Sequence, residues 1–352
     1  MFSYLKRNTL LSYTAHSIGA PLAAGLAYHG STADTKRGLD NVWGKHIDAA
    51  KFESHLQFLD RHYRVVPIMD VIEALRNGKE LPRRSVFITF DDGYKGNYEV
   101  AFPLLRKYGM KAAFFVMTAY AGTAKLFPLD IIDAALKHTS QTEVTVQVKE
   151  QTERIDLAHD IAKSAIRLHV IFKDVELDKQ ADWLEAFVKA LGFGSVEEVP
   201  PLGEHAQFMN WAELAEMKAA GMEIGSHTQR HAIMGRVPPG IAKEELLKSK
   251  QTIENNLGSA CRVFCYPNGG YPRDGNEQTN RMIEEAGYLG CTYMGQGMNT
   301  RSTNPYFMIR NCIGQTTRLS DLQIVLSGTV IRAKRILGRD PSPQAISNRK
   351  QT

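Results

Sequence analysis

Cysteine is scarce in this chain, a continuous apolar span is missing, and charge of one sign hardly accumulates. The four cysteines, Cys261, Cys265, Cys291 and Cys312, fall in the last third of the 352 residues and form no Cys-x-x-Cys pair. Buried free thiols in a reducing compartment fit this better than a disulfide framework. No apolar stretch reaches the roughly 18 residues that a transmembrane helix needs. Lys6 and Arg7 precede a mildly apolar segment from Thr9 to Tyr28, but Ser12, Tyr13, Thr14, His16 and Ser17 interrupt it and Pro21 follows, which makes a poor signal peptide. Cytoplasmic residence is therefore expected. Arg332, Lys334, Arg335, Arg339, Arg349 and Lys350 face only Asp340, so peripheral contact with anionic lipid is a second expectation; the plainer reading is a solvated tail. A net charge of +5 with no aromatic–basic stripe gives no motif for nucleic acid.

What is present is an ordinary globular composition, 43% hydrophobic and 23% charged, in a chain long enough for one large domain or two small ones. Short apolar runs read as strands at Leu22–Tyr28, Arg64–Pro67, Val86–Phe90, Ala112–Val116, Glu223–Ser226, Arg262–Tyr266, Leu289–Thr292 and Met308–Cys312. Helical spacing separates many of them, at Ala50–His62, Met69–Asn77, Tyr98–Tyr108, Trp211–Ala220, Ala242–Asn256 and Glu277–Ala286. Gly109, Gly221 and Gly287 stand where left-handed helix caps are wanted. The alternation predicts a parallel sheet covered by helices, and seven or eight units favour a distorted (β/α) barrel, an α/β fold. The expected layout is an extension over 1–21, a barrel over 22–338 with an α-rich insertion at about 123–207, and a disordered tail over 339–352. The last helix is expected over Leu319–Leu337.

Three strand ends carry candidate chemistry. Ser85-Val-Phe-Ile-Thr-Phe-Asp-Asp-Gly93 delivers two adjacent carboxylates, Asp91 and Asp92, at the C-terminal end of a strand, where α/β proteins place their sites. Consecutive side chains on a strand point apart, so the two can share a site only where the strand ends and twists. The alternative is a turn leaving the strand. Met222-Glu-Ile-Gly-Ser-His-Thr-Gln-Arg-His231 offers His227 and His231 at a spacing of four, within reach of one ion. Two histidines and a carboxylate suit zinc or another divalent transition metal; a pair of surface histidines is the alternative. Arg262-Val-Phe-Cys-Tyr-Pro-Asn-Gly-Gly-Tyr271 ends in a glycine-rich loop where Tyr266 and Asn268 approach a ligand, or which forms only a tight turn.

Together, Thr89-Phe-Asp-Asp-Gly93, His227-Thr-Gln-Arg-His231 and Phe264-Cys-Tyr-Pro-Asn-Gly269 resemble the polysaccharide deacetylases, the carbohydrate esterase family 4 with the NodB homology domain. Ala27-Tyr-His-Gly30 and Tyr63-Arg-Val-Val66 look like the branch acting on cell-envelope and exported polysaccharides. The resemblance implies a barrel of about seven strands. It also implies Asp92, His227 and His231 as metal ligands, Asp91 as general base, and the Asn268 amide as an oxyanion donor. Two departures stand out. Cys265 occupies a position where the family often has an arginine that orients the catalytic aspartate, and Arg310 is the candidate to supply that charge from a later strand. No histidine follows His231, so the usual Leu-x-His motif is missing; His29 is the candidate to protonate the leaving amine, unless Tyr28-His29-Gly30 is only a turn.

Tyr94 and Trp211 are expected to contact substrate, Trp211 alternatively being a helix-entry staple. His16, His46, His55, His62, His138, His159, His169 and His205 show no ligand spacing and are expected at the surface. The expected function is metal-dependent removal of an N-acetyl group from an amino sugar in a polysaccharide or lipid-linked precursor, with a divalent ion, Zn2+, as cofactor and the glycan as partner. Hydrolysis of another C–N bond, in an N-formyl sugar or cyclic amide, and a non-catalytic glycan-binding barrel are the alternatives.

Overall fold

The computed structural model describes residues 22–327. The expected N-terminal extension, the basic tail and the last turns of the final helix lie outside them. Twelve strands are described: β1 (Ala23–Tyr28), β2 (Gly30–Thr32), β3 (His46–Asp48), β4 (Arg64–Val65), β5 (Ser85–Phe90), β6 (Ala112–Val116), β7 (Glu143–Val148), β8 (Gln151–Asp156), β9 (Glu223–Ser226), β10 (Val263–Cys265), β11 (Gly290–Met294) and β12 (Met308–Cys312). The large sheet runs β1-β12-β11-β10-β9-β6-β5 and closes through a parallel β1–β5 pairing of six residues, giving a seven-stranded parallel barrel with β4 appended to β5. All eight expected strands are present, and the six expected helices lie at Ala49–His62, Ile68–Asn77, Asn97–Lys107 (π-helical in its first five residues), Trp211–Ala219, Pro239–Leu257 and Glu277–Glu285. Gly109, Gly221 and Gly287 take φ of +62°, +87° and +78°.

Two apolar layers explain why the strands are greasy on both faces. Val86, Ile88 and Phe90 of β5 pack outward into the layer that the helices cover, while Phe87 turns inward with Ala113, Phe115, Val263, Cys265 and Met308. The lumen is too narrow for a side chain on every strand. A Cβ on Gly25 would fall 2.5 Å from the Phe87 ring, and one on Gly225 2.7 Å from the Phe115 ring. Those two glycines leave the room that the two phenylalanines fill.

The segment after β6 builds a second core. Helices Pro128–His138, Ile161–Asp174 and Gln180–Ala190 and the antiparallel β7–β8 hairpin share an apolar cluster that includes Tyr94 and Met117 from the mouth of the barrel. The alternation of Val144, Val146 and Val148 foretells β7. Its partner β8, Gln-Thr-Glu-Arg-Ile-Asp, is too polar to read as a strand. The two-stranded β2–β3 sheet, three residues a side, is likewise invisible in the periodicity. Among the described residues no helix is long and apolar enough to cross a membrane.

Candidate metal centre and cleft

Strand parity decides which side chains meet. On β5, Phe87 and Thr89 face the lumen, and Asp91 continues their face. Arg310 on β12 reaches Asp91 as a fork, Nη1 donating to Oδ1 at 2.6 Å and Nη2 to Oδ2 at 2.9 Å. Nη1 also donates to Thr89 Oγ1 at 2.8 Å, Nη2 lies 2.8 Å from Cys265 Sγ, and the guanidinium stands 5.4 Å from the Phe115 ring centroid. β12 is hydrogen-bonded only to β1 and β11, so contacts with β5, β6 and β10 are made across the barrel interior. Arg310 is 0% exposed. Burial pushes the Asp91 carboxyl up, but the charge and hydrogen bonds of Arg310, with the charges of His227 and His29, together outweigh burial and hold it at about 2. Asp91 is ionised at neutral pH.

Asp92 would point away from Asp91 if the strand continued. Its φ of +71° ends the strand instead, and its carboxylate joins His227 and His231, with one ligand atom from each residue within 4.8 Å of the others. His227 Nδ1 donates to the Cys265 carbonyl at 2.9 Å, leaving Nε2 with a free lone pair 3.5 Å from Asp92 Oδ1. His231 Nε2 is 3.7 Å from the same oxygen. That oxygen is buried and has no hydrogen-bond partner. Burial pushes Asp92 up to about 6, lowers His227, and with the His227 charge lowers His231 well below its usual range.

Two neutral imidazoles around an orphaned carboxylate oxygen form a donor set that a divalent cation fits, and two nitrogens with one oxygen is a zinc-like choice. A second cluster, Asp91, His227 and Cys265, does not fit one: the Arg310 fork occupies Asp91, and burial keeps the Cys265 thiol protonated.

Holding this arrangement strains the loops. Of six non-glycine residues with positive φ among the described residues, four (Asp92, Thr228, His231 and Asn268) lie in these three strand-end loops. Buried Glu245 steadies one of them, accepting from the backbone N–H of Gln229 at 2.9 Å and Arg230 at 3.0 Å and from Arg230 Nε at 2.7 Å. Sequence reasoning missed this anchor, which lies 14 residues beyond His231 on the following helix.

Asp91, Asp92, His227, His231, His29 and Asn268 line one cleft of about 430 Å³. Burial pushes His29 down to about 4. The side-chain Oδ1 of Asn268 accepts from Lys173 Nζ at 2.9 Å.

The three aromatic residues expected to contact substrate are placed differently from one another. Tyr266 reaches the cleft, but its ring stacks on Tyr293 in the core and its hydroxyl is engaged by Thr279 and Asn280, each at 2.8 Å. Tyr94 is fully buried, stacked on Phe208, its hydroxyl held by Lys45 at 2.8 Å and Asp130 at 3.0 Å. Trp211 begins a helix capped by Asn210 and packs at the core margin beside Gly122, outside the cleft lining. Aromatic residues near a motif in sequence were here recruited to pack the loops that carry it.

Four of the histidines expected at the surface, His46, His55, His169 and His205, are buried. Lys45, Lys173, Trp43 and His169 line the cleft without any sequence signal, because the 38–45 loop and the insertion meet only in the fold.

A parallel barrel with an Asp-His-His donor set at its strand ends defines the class of protein: a hydrolase-type (β/α) barrel. Residues 78–165 and 188–290, together more than half of the chain, match the polysaccharide deacetylase family, and the chain belongs to that family of amide-bond hydrolases. The match contains Asp91, Asp92, His227, His231 and Asn268; His29, Trp43, Lys173 and Arg310 lie outside it.

The chain is 22% identical over 265 residues to Bacillus subtilis (strain 168) YxkH, whose name places it among polysaccharide deacetylases; the alignment covers 75% of this chain and 64% of that one. It is 26% identical over 189 residues to a Staphylococcus aureus (strain MSSA476) poly-beta-1,6-N-acetyl-D-glucosamine N-deacetylase, covering 53% and 62%. The chain thus spans less than two thirds of the length of either relative. Among solved structures, Streptococcus pyogenes deacetylase PplD in complex with acetate superposes with a TM-score of 0.57 at 17% identity, covering 87% of this chain and 99% of that one. IcaB from Ammonifex degensii gives 0.53 at 18% identity, covering 87% and 96%. These likenesses show the shared barrel fold.

Proposed function

We propose that this chain hydrolyses the N-acetyl group of an amino sugar in a polysaccharide or lipid-linked glycan precursor, with Zn2+ held by Asp92, His227 and His231. The observation that carries the reading is the buried, partnerless Asp92 Oδ1 between two bare imidazole nitrogens, beside a second carboxylate that is ionised and held out of the ligand set. A glycan binder has no use for that second group. A divalent ion in such a donor set supplies Lewis acidity, polarising a carbonyl and acidifying water.

The chain's own residues do the rest. Asp91, kept ionised by Arg310, takes a proton from the attacking water. The Asn268 backbone N–H donates to the oxygen of the acetyl carbonyl as it gains charge. His29, neutral and open to the cleft, relays a proton to the amine nitrogen as the C–N bond breaks. Water's oxygen ends in acetate, and the proton ends on the amino sugar.

The test is acetate release from N-acetylglucosamine oligomers by protein of known metal content. Activity is expected to track bound Zn2+, to vanish with a chelator and to return on Zn2+ addition. Metal-replete protein that releases no acetate from any N-acetylated glycan, or that releases formate from formylated sugars in preference, would end the proposal. His29→Gln is expected to lower turnover roughly 10²–10³-fold with metal content unchanged; normal turnover would remove His29 from the reaction.

A further inference from the structure

Trp43 is the one aromatic among the large hydrophobic side chains that stand exposed in the described residues, at 49%. It lines the same cleft as the Asp-His-His set. An indole left in water at the lip of a cleft forgoes burial worth having, so what fixes it there matters.

It is fixed from both sides. Its Nε1–H donates to Nδ1 of His169 at 2.7 Å, across 126 residues of sequence, with the rings 28° from parallel. His169 is itself buried on helix Ile161–Asp174, and its Nε2 lies 2.8 Å from Asp133 Oδ1, off the ideal hydrogen-bond direction. Since Nδ1 accepts from the indole, the imidazole proton sits on Nε2, facing that carboxylate.

The loop beneath is stapled as well. Buried Asn41 accepts from the His46 N–H at 3.0 Å and donates to the His46 carbonyl at 2.8 Å, the Gly44 carbonyl accepts from Gln315 N–H at 2.7 Å, and Lys45 pairs with Asp130. The indole is thus held in place where it lines the cleft of the Asp-His-His set.

We propose that Trp43 is the platform of an outer sugar subsite, on which the apolar C–H face of a pyranose ring neighbouring the reacting residue stacks. A saccharide presents just such a face, and its ring hydroxyls remain free for the polar wall made by Lys173, whose ammonium has, among the described residues, no carboxylate within 4 Å. The substrate class that follows is an oligosaccharide or longer chain, not a lone N-acetylated sugar. The platform and its tether at His169 both lie outside the stretches that match the family. The inference rests on the deacetylase reading for its substrate, but binding tests it apart from turnover.

Calorimetric titration of the zinc-loaded full chain with N-acetylglucosamine and with its β-1,6- and β-1,4-linked tetramers is the experiment. At least one tetramer is expected to bind roughly tenfold or more tightly than the monosaccharide, and Trp43→Ala to bring its affinity down to the monosaccharide's. Trp43→Phe, which keeps an aromatic face and loses only the tether, is expected to stay within about threefold of wild type. The same tetramer should shield Trp43 from oxidation by N-bromosuccinimide in the unmutated protein, read by mass spectrometry, which guards against a variant that fails to fold. Wild type binding neither tetramer better than the monosaccharide, an undiminished preference in Trp43→Ala, or unshielded Trp43 in the bound protein would overturn the subsite. Tight tetramer binding without acetate release would sink the deacetylase reading and leave the subsite standing.

Discussion

Asp92→Asn is expected to empty the metal site and lower acetate release by on the order of 10³-fold or more, while leaving the metal-free protein at least as stable as wild type. The two halves of this expectation share one cause. In the wild-type fold Asp92 Oδ1 is buried with no hydrogen-bond partner among the described residues, and imidazole nitrogens of His227 and His231, which burial keeps neutral, stand 3.5 and 3.7 Å away. A buried charge without a partner costs stability unless a cation answers it. Asparagine removes the charge and the best ligand together. Wild-type protein should therefore melt higher on titration with Zn2+, gaining about 4 kcal/mol at a thousandfold excess over Kd, while the variant's melting curve should not move. Stoichiometric zinc in purified Asp92→Asn protein, or a wild-type melt indifferent to zinc, would show that these three residues do not form the metal site.

How much of this was legible beforehand depends on the length scale of the signal. β5 could be read from Val86 to Phe90 because every residue is buried on one face or the other, and such a strand shows as a near-continuous apolar run. The Asp-Asp and His-x-x-x-His strings were legible because each set lies within five residues. Arg310 was put forward because the family resemblance calls for an arginine where Cys265 stands and Arg310 ends a later strand, although 219 positions separate it from Asp91. Trp43, Lys45 and Lys173 had no such guide, since a barrel strand sets the height of its residues whereas a loop or an insertion helix does not. The aromatic residues are a different case. Tyr94 and Trp211 stand close to motifs in sequence, but a loop forced through φ of +71° at Asp92 needs bulky side chains beneath it, and Tyr94 supplies one. Nothing local separates an aromatic that packs under a strained loop from one that faces a ligand.

Arg310→Met should damage stability and turnover while sparing the metal. Asp91 would remain in the barrel interior with both oxygens stripped of their guanidinium donors, and breaking a buried pair from one side costs about 3–5 kcal/mol. Turnover should fall by roughly 10²-fold or more, because the carboxylate would then be free to take up a proton or turn away from the water it must accept from. Zinc binding should survive, since Arg310 touches none of Asp92, His227 and His231, and this separates the loss from that of Asp92→Asn. The geometry also indicates a rescue. Cys265 Sγ lies 3.6 Å from Asp91 Oδ1 and 2.8 Å from Arg310 Nη2, so a guanidinium brought in from β10 would enter the space that Arg310 vacates. The double variant Cys265→Arg with Arg310→Met should regain most of both the thermal stability and the acetate release lost in Arg310→Met. Cys265→Arg alone should be worse than wild type, because it forces two guanidinium groups onto one carboxylate. Failure of the double variant to exceed Arg310→Met in either measurement would mean that Asp91 requires its charge partner from β12 specifically; full activity in Arg310→Met would mean that it requires none.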